Sequence, residues 1–275
     1  SGTNTLNADT FNIGSTGAVT RSGGAVVFDG LDTTGTVTIR ASDGTSRATI
    51  NMVNTTGSTS GAMSSTMDFT GHTADIFAST MTMATRTQNT GAATATLSFN
   101  QGTLDVTTLN MASRTGTGTG DATATVNLGD SAAPGTPATT IGILNMAVNT
   151  SAGGNVTADL NVTGGNVTIG TGAGTAINMA NAAASRTSTS NINLTGGAVS
   201  VTGNIIRTGG AGTENATVTL DGGTLDMNSN SIGTGAANVT LVAASGTLKN
   251  LGELNGGGTL TKTTAGTLTL EGANN

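Results

Sequence analysis

Two aspartates in neighbouring repeats are the groups whose spacing comes nearest to a catalytic or metal-binding pair. Asp75 and Asp105 each lie eight residues after the first inward-facing residue of their repeat. If the strands stack in parallel, the two carboxyl groups lie about 5 Å apart, which suits a shared cation or the hydrolysis of a glycosidic bond with retention. Other repeats place Asn7, Thr168 and Ser200 at this position, and the chain has no Trp or Tyr to support a sugar ring. We therefore predict no catalytic residue, no bound metal and no cofactor. If the chain did bind a metal, Asp75 and Asp105 are the residues we expect to hold it.

His72 is the only histidine of the chain, and it lies in a predicted turn at residues 70–73. An imidazole can act as an acid, a base or a metal ligand, but each role needs partner residues. The chain has no cysteine, and the residues around His72 supply no such partner. We therefore expect an exposed corner residue.

Threonines recur at equivalent positions of several repeats and form a predicted column on one face. Such an array can order water as ice does, although acidic and amide side chains interrupt the face. We expect strand residues that are simply solvated. The threonines are Thr94, Thr123, Thr157 and Thr189, beside Thr66, Thr96, Thr125 and Thr217, and the interruptions are Asp68, Asp159, Asn191 and Asn193.

Arginines also recur, with Arg86 and Arg114 at equivalent positions and Arg186 and Arg207 in comparable loops. Aligned bases would form a groove for a polyanion, whereas scattered bases pair with nearby acids. The net charge of −6, from 15 acidic and 9 basic residues, favours ion pairs and argues against nucleic acid as a partner.

The elements that carry these residues are short strands, in which apolar and polar residues alternate. In residues 94–121, three apolar pairs are separated by breaks at 100–102 and 107–108, which predicts about three strands and three corners per coil. A phrase of a large apolar residue, a polar residue and Met or Ile marks the third strand. The predicted core consists of Phe11, Ile13, Ile50, Met52, Leu97, Phe99, Leu104, Val106, Leu109, Met111, Leu144, Met146, Leu160, Val162, Ile177, Met179, Leu194 and Leu220.

Like residues align only after a whole repeat of 27 to 39 residues, which favours parallel stacking over hairpins. The sequence therefore predicts an all-β fold, a parallel β-helix or β-solenoid of eight to nine coils about 4.8 Å apart. Glycine pairs at 164–165, 196–197 and 222–223 fall at predicted corners, where a positive φ is needed. We expect exposed strand edges near Asn7 and Leu270, so the predicted partners are further copies stacked end to end or flanking coils of a longer chain.

Composition agrees with this fold, since 43 glycines, 2 prolines and 2% aromatic residues disfavour helices and a wide core. Both prolines lie in an insertion at residues 129–138, for which we expect a protruding loop, either a binding loop or a tolerated insertion. No apolar run reaches the roughly 20 residues of a membrane span, so we predict no membrane insertion by this segment. Any export signal or anchor is expected to have been removed or to lie outside the chain.

The last twenty residues carry a distinct motif, G-x-G-T-L-x-K-x-x-x-G-T-L-x-L-x-G-x-N. This stretch resembles the autotransporter-associated β-strand repeat, although Thr264 stands where that repeat usually has glycine. We divide the chain into solenoid coils at 1–255 and a repeat-like terminal coil at 256–275, continuous with the same solenoid. The matching residues are Gly256, Gly258, Thr259, Leu260, Lys262, Gly266, Thr267, Leu268, Leu270, Gly272 and Asn274.

The resemblance implies a right-handed passenger-type β-helix in a secreted or outer-surface bacterial protein, with no catalytic residue in the repeat. We therefore expect a non-catalytic stalk or a subunit of an extracellular fibre, located outside the cell or on its outer surface. Two alternatives remain open. One is an adhesin that binds surface glycans, and the other is a polysaccharide-active β-helix enzyme.

Overall fold

The computed structural model describes residues 2–14, 24–27, 35–55, 61–87, 90–129, 137–172 and 174–275, with 24–27 described only as a strand. These residues form 22 strands and no helix. The strands are β1 (Thr3–Asn7), β2 (Thr10–Ile13), β3 (Gly24–Val27), β4 (Thr36–Arg40), β5 (Ala48–Thr55), β6 (Met63–Asp68), β7 (Thr73–Arg86), β8 (Ala93–Phe99), β9 (Gly102–Arg114), β10 (Ala122–Leu128), β11 (Ala138–Asn149), β12 (Val156–Val162), β13 (Asn166–Ile169), β14 (Thr175–Asn181), β15 (Thr187–Leu194), β16 (Ala198–Val201), β17 (Asn204–Arg207), β18 (Thr213–Asp226), β19 (Ser231–Ile232), β20 (Thr240–Lys249), β21 (Glu253–Leu254) and β22 (Leu268–Glu271).

The strands stack in three ladders, and every strand pairing within them is parallel. The first ladder runs β3, β6, β8, β10, β12, β15, β18 and β20. The second runs β1, β4, β7, β9, β11, β13, β16, β18, β20 and β22. The third runs β2, β5, β7, β9, β11, β14, β17, β19 and β21.

This arrangement is a parallel β-solenoid, as the repeat predicted. About six turns, from β4 to the first half of β18, have all three strands at four residues or more. Partial turns extend the ladders on both sides. The predicted loop at 129–138 lies outside the described residues except at its two ends.

The break predicted at residues 107–108 is wrong, because β9 runs through it without interruption. Strands β7 and β11 also pass from the second ladder to the third as one extended segment. A gentle bend needs no turn residue, since extended backbone tolerates a range of φ and ψ. Each of these coils therefore has fewer sharp corners than the sequence predicts.

A corner near the end of the third-ladder segment has one residue with a positive φ between 43° and 54° in each of five strands, β5, β7, β9, β11 and β14. This conformation costs an ordinary L-residue about 1–2 kcal/mol. This residue follows a buried methionine of the core and is itself buried. Two successive side chains therefore face inward, and the alternation of inward and outward residues shifts by one. The corner residues are Val53, Ala84, Ala112, Ala147 and Ala180.

The second glycine of each predicted pair also has a positive φ, at 80° for Gly165, 69° for Gly197 and 64° for Gly223. A Cβ on Gly197 would lie 2.6 Å from the backbone oxygen of Gly165 in the coil below. Glycine is therefore needed at this corner for both its conformation and its close packing.

The core is one continuous apolar column inside the coils. In the third ladder, Met52, Met83, Met111, Met146 and Met179 stack on one another in register. Their flexible thioether chains fill a narrow interior that holds few aromatic rings. Of the predicted core residues, Phe11 and Ile13 are half-buried and the remaining sixteen are buried.

The terminal segment joins the solenoid through β22, which pairs with β20 in the second ladder. Residues 256–267 contain no strand, although Leu260 packs against the core. The ammonium group of Lys262 donates to the carbonyl oxygens of Ala244 at 3.0 Å and Thr264 at 2.7 Å. These bonds hold the motif against the preceding coil.

Candidate functional site

Asp75 and Asp105 do not stack, so the predicted carboxylate pair is wrong. Asp75 lies beside Thr103, whereas Asp105 lies beside Phe77, two residues further along the strand. The spacing in sequence misled because the loop between the first and second ladders is longer in the earlier coil. Asp105 shares its column with Thr140 and, further along, with Thr168 and Ser200, the last two as predicted.

Each aspartate is instead engaged by an arginine on the outer face of the second ladder. Arg47 binds Asp105 through two parallel bonds of 3.0 and 2.8 Å, and Arg40 pairs with Asp75. The guanidinium carbons of Arg40 and Arg47 lie 5.2 and 3.8 Å from the centre of the Phe77 ring. We call these five residues the outer arginine cluster. With both carboxylates paired, the cluster stabilises the face and is not an acid–base pair.

His72 is not an exposed corner residue, since only 8% of its surface is accessible. Its Nδ1 lies 3.2 Å from the carbonyl oxygen of Thr70. The turn also contacts the following coil, where the side-chain oxygen of Asn100 accepts from the Gly71 amide at 3.0 Å. Packing of this turn, which the sequence does not reveal, buries the imidazole.

Arg86 and Arg114 stack in register, as their equivalent positions predicted, but they point into the solenoid and are fully buried. Arg86 donates to the carbonyl oxygens of Gly61 at 2.8 Å and Ala92 at 2.6 Å. Arg114 donates to the carbonyl oxygens of Gly118 and Gly120. We call these two residues the inner arginine pair.

The environment of the inner arginine pair disfavours its charge. Burial lowers the pKa of Arg86, and the neighbouring charge of Arg114 lowers it further. Burial also lowers the pKa of Arg114, while Asp121 partly counters this effect. A guanidinium stays protonated even so. The pair therefore holds glycine-rich loops by charge-assisted hydrogen bonds, and its burial argues against the alternative of a polyanion groove.

Arg207 takes the column of the core methionines, since it lies beside Met179 in the third ladder. It pairs with Glu214, whose side chain is only 3% exposed. This pair agrees with the expectation of bases bound to nearby acids.

A groove runs along the third ladder, outside the positive-φ corner. It encloses about 340 Å³ around Asn110, Ala112 and Asn145. At this corner, the side chain two residues before the positive-φ residue faces the side chain one residue after it. Across the equivalent corner of β5, Asn54 donates to Asn51 at 3.2 Å. We call this feature the third-ladder groove.

One wall of the third-ladder groove is a ladder of asparagine amides. Asn145 donates to Asn110 at 2.8 Å, and Asn178 donates to Asn145 at 2.8 Å. The opposite wall contains Thr85, whose hydroxyl oxygen is buried without a hydrogen-bond partner among the described residues. No residue that lines the described groove is titratable. The groove therefore offers a row of amide groups to a neutral polar ligand.

The sequence analysis did not predict this groove, because it interpreted the recurring apolar-Asn-Met phrase only as a pattern of core packing. The apolar-Asn-Met phrase fixes the asparagine wall, and the small residue after Met marks the corner. Recognising the groove required knowing that this small residue has a positive φ.

The described part of the chain contains no group of three or more acidic, histidine or cysteine residues arranged to hold a metal. No described helix is long and apolar enough to cross a membrane. Comparison of the chain with protein-family models, curated proteins and solved structures found no match.

Proposed function

We propose that this chain is a non-catalytic structural β-solenoid of a secreted or cell-surface bacterial protein, right-handed and of eight to nine coils. It acts as a stalk or as a subunit of an extracellular fibre. The observation that carries this proposal is the second ladder, which continues from β1 to β22 through parallel pairs alone. Among the described residues, β1 and β22 each have one partner strand, so their other edges can accept a further parallel strand.

The outer edge of β22 can be identified from its hydrogen bonds. The carbonyl oxygens of Thr267 and Glu271 accept from β20 at 2.9 and 3.1 Å. Because backbone groups alternate between the two sides of a strand, the amide of Leu270 points away from β20. It is the group that a following coil would meet, whether that coil belongs to the same polypeptide or to another copy.

Electron microscopy and sedimentation over a range of concentrations test self-assembly. We expect the wild-type chain to form thin fibres and Leu270→Pro, which removes the outward amide, to remain monomeric. Leu270→Ala is the matched control, because it shortens the side chain but keeps the amide, and it should assemble. If the wild-type chain stays monomeric at high concentration, the role as a fibre subunit is contradicted and the role as a stalk remains.

The surface location is supported by the resemblance of residues 256–274 to the autotransporter-associated repeat. Antibody labelling and protease treatment of intact producing cells test it. Labelling that appears only after lysis would contradict an outer location. The absence of catalytic activity is likewise part of the proposal, and turnover of any polysaccharide in an activity screen would overturn it.

A second candidate function, an adhesin that binds surface glycans, is favoured by the third-ladder groove. Its uncharged amide wall suits the hydroxyl groups of a neutral glycan chain. A glycan array tests this, with Asn145→Leu expected to abolish the hits. Asn161→Leu is the control, since Asn161 belongs to an equivalent amide ladder on the first ladder, where it donates to Asn127 at 2.9 Å. An array without hits would remove this candidate.

A further inference from the structure

The outer face of the first ladder carries hydroxyl groups in two parallel columns. The pairings of β6, β8, β10, β12 and β15 are in register without a shift. The first column is Ser64, Thr94, Thr123, Thr157 and Thr189, and the second begins with Thr66, Thr96 and Thr125. The threonine column that the sequence predicted is therefore a column in space.

The geometry of the face is set by the sheet itself. Successive strands lie about 4.8 Å apart, and outward residues two apart along a strand lie about 6.6 Å apart. The inward residues between the two columns are small, as with Ala95 and Ala124, so the coil is thin there. The hydroxyls thus form a two-dimensional lattice whose spacings are close to those between oxygen atoms on faces of hexagonal ice.

The threonine hydroxyls are available to water. Thr94, Thr96, Thr123 and Thr125 are half-buried, and none of their side chains has a hydrogen bond to another described residue. A β-branched side chain has few rotamers on a strand, so the hydroxyls and methyl groups are held in place. A water layer on this face is ordered without a large entropy cost to the protein.

The face also lacks the groups that disturb such a layer. At the outward positions of the first ladder from β6 to β15, Asp68 and Asp159 are the only charged residues described. Asp159 is tied to the face by Asn191, which donates to it at 2.8 Å. Beside the columns, Asn193 donates to Asn161 at 2.9 Å, which makes a further rigid row.

We propose that the outer face of the first ladder binds ice, through the hydroxyl columns centred on β8 and β10. The bound partner is crystalline water, and no charge or cofactor takes part. Asp159 and Asn191 interrupt the second column, so the strongest contact lies on the three coils from β6 to β10. This inference is independent of the groove and of end-to-end assembly.

Thermal hysteresis and recovery of the protein in slowly grown ice test the proposal. We expect the wild-type chain to lower the freezing point below the melting point and to enter the ice. Thr125→Tyr should lose both properties, because the ring breaks the lattice. Thr168→Tyr, a half-buried threonine on the second ladder, is the matched control and should keep both.

Circular dichroism and melting curves of each variant show whether it folds. The double variant Asp159→Thr/Asn191→Thr should increase hysteresis, since it completes the second column, and it does not depend on disrupting the fold. A wild-type chain without hysteresis and excluded from ice would overturn the proposal. Equal losses in Thr125→Tyr and Thr168→Tyr, or no gain in the double variant, would also count against it.

Discussion

Two pairs of arginines in the same solenoid occupy opposite environments. In the outer cluster, Arg40 and Arg47 are 16% and 30% exposed, pair with aspartates and flank a phenylalanine ring. In the inner pair, Arg86 and Arg114 are fully buried and donate to backbone carbonyls. The difference arises because the inner arginines lie two residues after a positive-φ corner, which turns this position inward. Residue type alone therefore does not decide which side of the coil a charge occupies.

The largest effect is expected from Arg114→Met, which keeps the length of the side chain but removes its donors. The buried carbonyl oxygen of Gly120 then loses its charged donor, while that of Gly118 keeps only the Gly154 amide at 3.1 Å, so we expect the free energy of unfolding to fall by about 2–3 kcal/mol. Urea unfolding followed by circular dichroism measures this loss. If Arg114→Met lowers the free energy of unfolding by less than Arg47→Met does, the proposed contrast between the inner arginine pair and the outer arginine cluster is contradicted.

Mutual repulsion within the inner arginine pair leads to a second prediction, which urea unfolding also tests. Removal of one arginine relieves the other of a like charge nearby. Each single variant gains this relief, but the double variant gains it only once, so Arg86→Met/Arg114→Met should lose more stability than the sum of the two single variants. Additive losses would show that the two guanidinium groups do not influence each other.

A smaller effect is expected from Arg47→Met in the outer cluster. It removes a half-exposed ion pair with Asp105 and a cation–π contact with Phe77, together worth about 1 kcal/mol. Because solvent ions screen exposed charges, the loss should shrink in about 1 M salt. The loss for Arg114→Met should change little under the same conditions, since its partners are buried carbonyls.

The corner that separates the two environments can be probed by Ala112→Gly. Relief of the positive-φ strain, about 1–2 kcal/mol, offsets the added chain entropy and the lost buried methyl group. We expect a net change within about 1 kcal/mol. Ala124→Gly, at a buried strand position without a positive φ, is the control and should lose about 1.5 kcal/mol. Equal losses at both sites would argue that the corner is unstrained.

The smallest effect concerns the turn between Arg40 and Arg47. Hydrogen bonds from Ser46 and Thr45 lower the pKa of Asp43 from 3.8 to about 2. The folded pKa is below the unfolded value, so the turn is stabilised fully above about pH 4 and loses this contribution as the pH falls through about 2. NMR titration of the Asp43 carboxyl measures the shift. A pKa near 4 would contradict the hydrogen bonds, and Asp43→Ala provides the reference state.

The sequence predicted the strands and the core well because the apolar alternation depends only on neighbouring residues. Leu109 and Met111, for example, are buried as their spacing required. The alignment of Asp75 with Asp105 failed because a register depends on loop length, which the alternation does not record. The burial of His72 and of the inner arginines failed for a related reason, since a corner changes which residues face inward.

The sequence by itself determined a parallel solenoid with three ladders, because its period-two apolar strands are dissimilar within a repeat and align with their like only after a whole repeat. It also determined that threonines and asparagines recur on the outside. The tertiary structure alone decided which of them align across coils, where the third-ladder groove lies and which arginines are buried. Those features depend on register and on the positive-φ corners, and both follow from how successive coils pack on one another.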